Sequence, residues 1–170
     1  MIDTKHFLDS CMHEIRVIKH LATKVPPGGL SYRPTPKQRS TLELLRYLTT
    51  CAIVPGRALV AGNWDEAEAL EKASESVTAE TFAEAMDAQG QALAALMAGL
   101  TSQDLAARDT AMPWGTPCKL GEGLVNTVLK TLVAYRMQLF LYAKAAGNGD
   151  LGPANCWVGV DRPAQPTATA

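Results

Sequence analysis

The chain predicts an all-α four-helix bundle, with a long crossover between helix 2 and helix 3 and a C-terminal tail packed on the bundle. Three observations carry that prediction. Apolar residues recur at three- and four-residue steps over four long stretches, the period of helices with one buried face. Alternating runs of strand type are few. A length of 170 residues with 47% apolar content suffices for one domain with a real core.

Helix 1 is expected over 3–24. Leu8, Cys11, Met12, Ile15, Ile18, Leu21, Ala22 and Val25 make one broad apolar stripe, and Pro26-Pro27-Gly28-Gly29 ends it. The loop 30–38 contains Pro34 and Pro36 and is extended. Helix 2 starts near Ser40, an N-cap with Glu43 three residues on to complete a capping box. It continues through Leu44, Leu45, Leu48, Cys51 and Ala52 towards Val60. Pro55, followed by Gly56, predicts a kink or break inside it.

Residues 61–77 form a charged connection, in part helical. It carries Gly62-Asn63-Trp64 and the acids Asp65, Glu66, Glu68 and Glu71. Thr78 reads as the N-cap of helix 3, which spans 81–97 with Phe82, Ala85, Met86, Leu93, Leu96 and Met97 inward and Gly99 as its C-cap. Residues 101–105 are expected to turn. Residues 108–120 form a loop or short hairpin, because Met112-Pro113-Trp114-Gly115-Thr116-Pro117 cannot be regular helix. Helix 4 spans 120–146 and closes at Gly147 or Gly149. The tail 151–160, with Cys156, Trp157 and Val158, packs back on the bundle. The domain is 1–163, and 164–170 reads as a disordered end.

A net charge of −1, with no basic run, gives no electrostatic reason to expect nucleic acid or an anionic membrane as partner. The longest apolar stretch, 124–146, is broken by Lys130, Arg136 and Lys144, so no membrane span is expected. No secretory signal is visible in the first residues, which makes a cytoplasmic location the expectation. None of the four cysteines, Cys11, Cys51, Cys118 and Cys156, stands in a C-x-x-C pair, so no structural zinc site is expected. Cys11 and Cys51 fall on apolar helix faces and read as small hydrophobes. No dinucleotide, P-loop or nucleophile-elbow motif is present.

The three histidines, His6, His13 and His20, are spaced seven apart on helix 1. Seven residues rise roughly 10.5 Å, against a metal–nitrogen bond of about 2.0–2.1 Å. No two of them can chelate one ion from a straight helix. The row points away from the Ile15–Ile18–Ala22 stripe, which reads as a solvated face. A pH-sensitive subunit interface is the sharper alternative.

Two segments carry a resemblance. Helix 2 reads Ser40-Thr41-Leu42-Glu43-Leu44-Leu45-Arg46-Tyr47-Leu48. After a Pro113-Trp114-Gly115-Thr116 turn, helix 4 reads Thr131-Leu132-Val133-Ala134-Tyr135-Arg136-Met137-Gln138. These resemble the DinB/YfiT-like bacterial family of four-helix bundles. That family carries a Ser-x-x-Glu-Leu-Leu-x-His-like segment, then His-x-x-x-His followed by Arg-x-Gln. The resemblance implies a bundle, often dimeric, whose three histidines hold a divalent metal, and in some members a thiol-dependent S-transferase or isomerase activity.

Here the three ligand positions hold Tyr47, Thr131 and Tyr135. Imidazole suits zinc, nickel and iron; threonine is a poor ligand, and a phenol with an ordinary pKa of about 10 must first lose its proton. No metal and no other cofactor is therefore expected. Buried tyrosines usually find hydroxyl partners, so Tyr47, Tyr135 and Thr131 either bond to one another and fill the space or line a small polar pocket. Gln138 matches the family pattern and Trp114 is expected to plug the bundle mouth. The expected ligand pocket is Tyr47, Thr131, Tyr135, Gln138 and Trp114, with no catalytic residue assigned. The expected role is binding a small molecule or partner as a homodimer. The alternatives are a thiol-dependent S-transferase or isomerase with an atypical site, and a purely structural dimer.

Overall fold

A computed structural model describes residues 3–162; residues 1, 2 and 163 of the expected domain and the end 164–170 lie outside them. Helix α1 (Thr4–Ala22) starts where the Asp3 carboxylate accepts the His6 amide at 2.7 Å, an N-cap. Phe7, Cys11, Ile15, Ile18 and Leu21 are its buried apolar face. One tight turn, Gly29–Ser31, follows.

Helix α2 (Thr41–Leu48) carries the expected capping box: the Glu43 amide donates to Ser40 Oγ at 3.2 Å, and the Ser40 amide to Glu43 Oε2 at 2.6 Å. The interruption is a break, and it falls before Pro55. Helix α2 ends at Leu48 and α3 runs Ile53–Ala61. Pro55 thus sits in the first turn of α3, where an amide has no intrahelical acceptor to lose. Gln89, 3% exposed, spans the break from α5. Its Oε1 accepts from the amides of Ala52 at 3.0 Å and Ile53 at 3.3 Å, and its Nε2 donates to the Leu48 carbonyl at 2.9 Å. One side chain satisfies three buried main-chain groups. Residues 41–61 include an 18-residue window of mean hydropathy 1.2, of which 67% is buried inside the protein; that is the burial of a core helix.

Within the charged connection lies α4 (Ala67–Ser74), none of whose residues is buried. The N-cap of α5 (Phe82–Ala98) is Thr81 rather than the expected Thr78, and its side chain makes no capping bond; Thr78 sits one turn earlier, its hydroxyl accepting from the Thr81 amide at 3.4 Å. The expected turn at 101–105 is a short helix, α6 (Ser102–Ala107), because Thr101 and Asp104 form a second capping box. Strands β1 (Asp109–Ala111) and β2 (Pro117–Lys119) pair antiparallel with Thr110 opposite Cys118, so the hairpin reading holds. The last helix comes in three parts: α7 (Leu120–Gly123), a wider π-helical stretch Leu124–Leu129, and α8 (Lys130–Ala145). Its entry is tight. A Cβ at Gly121 would lie 2.9 Å from the Leu105 carbonyl oxygen, and one at Gly123 3.0 Å from Leu59 Cδ2.

Helix α1 packs against α5 and α8, and the α2–α3 pair also packs against α5 and the last helix. Leu44, Leu48, Met86, Leu93, Leu124, Leu132 and Leu139 meet in the core between them. Arg136 is 2% exposed and donates to Glu14 Oε1 at 3.2 Å. Burial pushes the Glu14 carboxyl up, and Arg136 works against that rise. The Trp157 ring lies over the guanidinium at 4.5 Å.

The tail packs on the bundle as expected, and it lands on the histidine row. A helical turn, Ala154–Val158, buries Asn155 and Cys156 against α1 and α8. His13 Nε2 meets the Trp157 carbonyl at 2.9 Å, His20 Nε2 meets Asn155 Nδ2 at 3.2 Å, and Lys24 pairs with Asp161 at 2.6 Å. His6 alone of the three is exposed. The solvated-face expectation therefore fails for His13 and His20. Gly159, at φ +72°, permits the close approach: a Cβ there would lie 3.2 Å from Val17 Cα.

Candidate functional site

The break between α2 and α3 leaves a cavity of about 200 Å³. Tyr47 comes to it from the end of α2, Thr50 and Cys51 from the break itself, and Val54 and Pro55 from the start of α3. Asn126, Thr127 and Thr131 come from the last helix, Pro113 and Trp114 from the hairpin tip, and Trp64 and Glu71 from the connection that holds α4. Two open grooves adjoin it. One of about 540 Å³ runs along Arg39, Arg46 and Glu75 and shares Tyr47, Thr50 and Glu71. The other, about 620 Å³, lies along Arg57 and Leu96 and shares Val54 and Trp64. The largest of these spaces is thus not the one the helix 2 and helix 4 motifs point to; the cavity between those motifs is smaller and joins them directly.

Tyr47 stands at the junction. Its ring meets that of Tyr135 edge to face, with centroids 4.7 Å apart. The Arg39 guanidinium lies 4.1 Å above the Tyr47 ring centroid. Burial first, then Tyr135 and Cys51, holds the Tyr47 phenol above its ordinary pKa. It is a neutral hydroxyl at physiological pH, able to donate one hydrogen bond. Burial likewise pushes the Cys51 thiol up to about 12, which leaves too little thiolate for a nucleophile.

The opposite wall owes its polarity to the π-helical stretch. Thr127 donates to the Gly123 carbonyl at 2.7 Å, and Asn126 donates to the Glu122 carbonyl at 3.0 Å and accepts from Lys130. Wider turns of this kind are rare and recur at functional sites. Asn126 and Thr127 from this stretch, with Thr131 from the first turn of α8, line one cavity wall.

Of the five expected pocket residues, the structure brings Tyr47, Thr131 and Trp114 to one cavity. Tyr135 reaches it through the Tyr47 ring. Gln138 belongs to another network: it donates to the Tyr142 hydroxyl at 2.7 Å, which donates to the Arg39 carbonyl at 3.1 Å. Trp114 is no plug. It is 68% exposed, carried outward by a tight hairpin turn with Gly115 at φ +87°, and it forms the rim. Sequence reasoning missed Thr50, Thr127, Trp64 and Glu71. Thr50 lies three residues after Tyr47 and Thr127 four before Thr131, so helical spacing places each beside a residue already singled out. Trp64 and Glu71 sit in a connection whose path periodicity does not fix.

The metal implied by the sequence resemblance does not fit these residues. Among the described residues, no three or more His, Cys, Asp or Glu side chains gather where they could hold an ion. At the three positions that match the family's histidines the oxygens offered are one alcohol and two phenols, and the Tyr47 phenol is held protonated, the opposite of what coordination needs.

The fold is similar to that of a solved protein. The crystal structure of a DinB-like protein, YjoA, from Bacillus subtilis matches with a TM-score of 0.68 at 19% sequence identity, covering 86% of this chain and 96% of that one. At that identity the likeness shows the fold, an all-α DinB-like helical bundle. No protein-family model matches the chain, and no curated protein matches it in sequence.

Proposed function

We propose that this DinB-like bundle binds a small organic molecule, without a metal ion, in the cavity between Tyr47 and Thr131. One observation carries the reading: residues from α2, the last helix, the hairpin and the α4 connection converge on a single space of about 200 Å³. That is below the range of about 300–1,000 Å³ usual for drug-sized ligands, so the ligand is small. Aromatic and aliphatic walls supply contact area, while the hydroxyls of Tyr47, Thr50 and Thr131 orient the ligand. The cavity takes the place that a metal and its histidines fill in the family the sequence resembles; the site is a degenerate one.

Elemental analysis of protein purified without a chelating tag tests the metal-free reading. The expected result is transition metal well below one atom per chain. A stoichiometric zinc, nickel or iron content overturns it and favours a thiol-dependent transferase or isomerase.

Pairing of two copies is part of the same reading. Its support is the outward side of α8, where Val133 is 37% and Leu141 55% exposed, an apolar face on a helix that also buries Leu132 and Leu139. Sedimentation equilibrium at micromolar concentration is expected to give twice the chain mass; a monomer that Leu141→Glu leaves unchanged contradicts the pairing.

A further inference from the structure

We propose that the ligand of this cavity is a small quaternary-ammonium cation. The inference rests on the reading of the cavity as a binding site and adds the class of molecule. Three aromatic side chains, Tyr47, Trp64 and Trp114, come to one small space from three separate elements. Trp64 and Trp114 are 43% and 68% exposed. Two large aromatic surfaces kept in solvent at the lips of one cavity are spared from the core for another use. The face of an aromatic ring attracts a cation, most strongly for tryptophan, and the attraction grows as the cation loses its water.

The charge on the walls agrees in sign. Glu71 is the carboxylate there, and among the described residues that line the cavity there is no Lys, Arg or His. Glu71 makes no ion pair among the described residues. The remaining polar wall is neutral: threonine hydroxyls and the Asn126 amide. Arg39 approaches from the neighbouring groove and already lies over the Tyr47 ring at 4.1 Å, so the two tryptophans and Glu71 carry the recognition. A quaternary ammonium has no N–H to satisfy and asks for aromatic faces and one diffuse negative charge.

The test titrates choline into the full chain, followed by tryptophan fluorescence and calorimetry. Its uncharged carbon isostere, dimethylbutanol, is titrated in parallel. Saturable choline binding is expected, with the isostere at least about tenfold weaker. Trp64→Ala is expected to weaken choline more than about tenfold without lowering the melting temperature, and Glu71→Gln to weaken choline while leaving the isostere unchanged. Phosphatidylcholine vesicles form a second arm; co-sedimentation lost in Trp64→Ala supports the same cation presented as a lipid headgroup rather than free in solution. Equal affinity for choline and its isostere overturns the inference yet leaves the cavity a small-molecule site. Binding of neither overturns it as well, and the cavity itself is then judged by ligands of other classes.

Discussion

The rings of Tyr47 and Tyr135 meet edge to face at 4.7 Å between α2 and α8. An aromatic pair of this kind contributes about 0.5–1.5 kcal/mol beyond the area it buries. Tyr47→Ala is expected to destabilise the protein by about 2–3 kcal/mol in urea unfolding, somewhat below a fully buried aromatic truncation, because the ring is half-buried. Tyr47→Phe keeps the ring contact and should cost under about 1 kcal/mol. A Phe variant as damaged as the Ala variant would show that the hydroxyl, not the ring, holds this junction.

Removing Gln89 tests how the α2–α3 break is held. Gln89→Leu leaves the Ala52 and Ile53 amides and the Leu48 carbonyl without their partner. With about 1–3 kcal/mol for each buried group left unsatisfied and partial relaxation, a loss of about 3 kcal/mol is expected. Gln91→Leu, exposed on the same helix, serves as the control and should stay within about 0.5 kcal/mol. Equal effects from both substitutions would contradict the role given to Gln89.

The Arg136–Glu14 pair is nearly dry, and among the described residues Glu14 Oε2 and Arg136 Nε have no hydrogen-bond partner. Breaking such a pair from one side typically costs about 3–5 kcal/mol, whereas replacing both members by apolar residues is often neutral. Glu14→Leu and Arg136→Met are each expected to destabilise strongly, and the double variant to recover most of the loss. Additive losses in the double-mutant cycle would show that the two side chains act independently.

Alkaline pH should unfold this protein through its buried acids. Burial raises the Cys11 and Cys51 thiols from an ordinary 9.0 to about 12, and it raises the Tyr47 phenol in the same direction. A raised folded-state pKa gives stability that is fully present below the unfolded value and is lost as pH climbs through the folded one. The urea midpoint is thus expected to be flat from pH 7 to 8 and to fall from pH 9 to 11, less steeply in Cys51→Ala. A midpoint that rises across that window contradicts the assignment.

Helix positions were legible because burial imposes a period. The Ser40–Glu43 capping box, the hairpin and the docking tail follow from local chemistry, whereas the N-cap of α5 falls at Thr81, three residues past the expected Thr78. The break at 49–52 was displaced from its expected place at Pro55 because Gln89, forty residues away in no local pattern, determines where main-chain groups can be satisfied. The histidine row departs from the solvated face expected of it for a similar reason: nothing near His13 and His20 in sequence tells that Trp157 and Asn155 cover them. At the site, Tyr47 and Thr131 could be paired through two helical motifs of a resembled family. Trp64 and Glu71 could not, because a charged connection of nearly twenty residues has no periodicity that fixes its path over the bundle.

The most direct measurement of the central claim is a ligand-induced melting shift on chelator-dialysed protein, screened against small cations, thiols and neutral aromatics. A metal-free small-molecule site predicts stabilisation by at least one compound in the absence of any metal, reduced in both Thr131→Val and Tyr47→Phe. Stabilisation that appears only after zinc, nickel or iron is restored would contradict it.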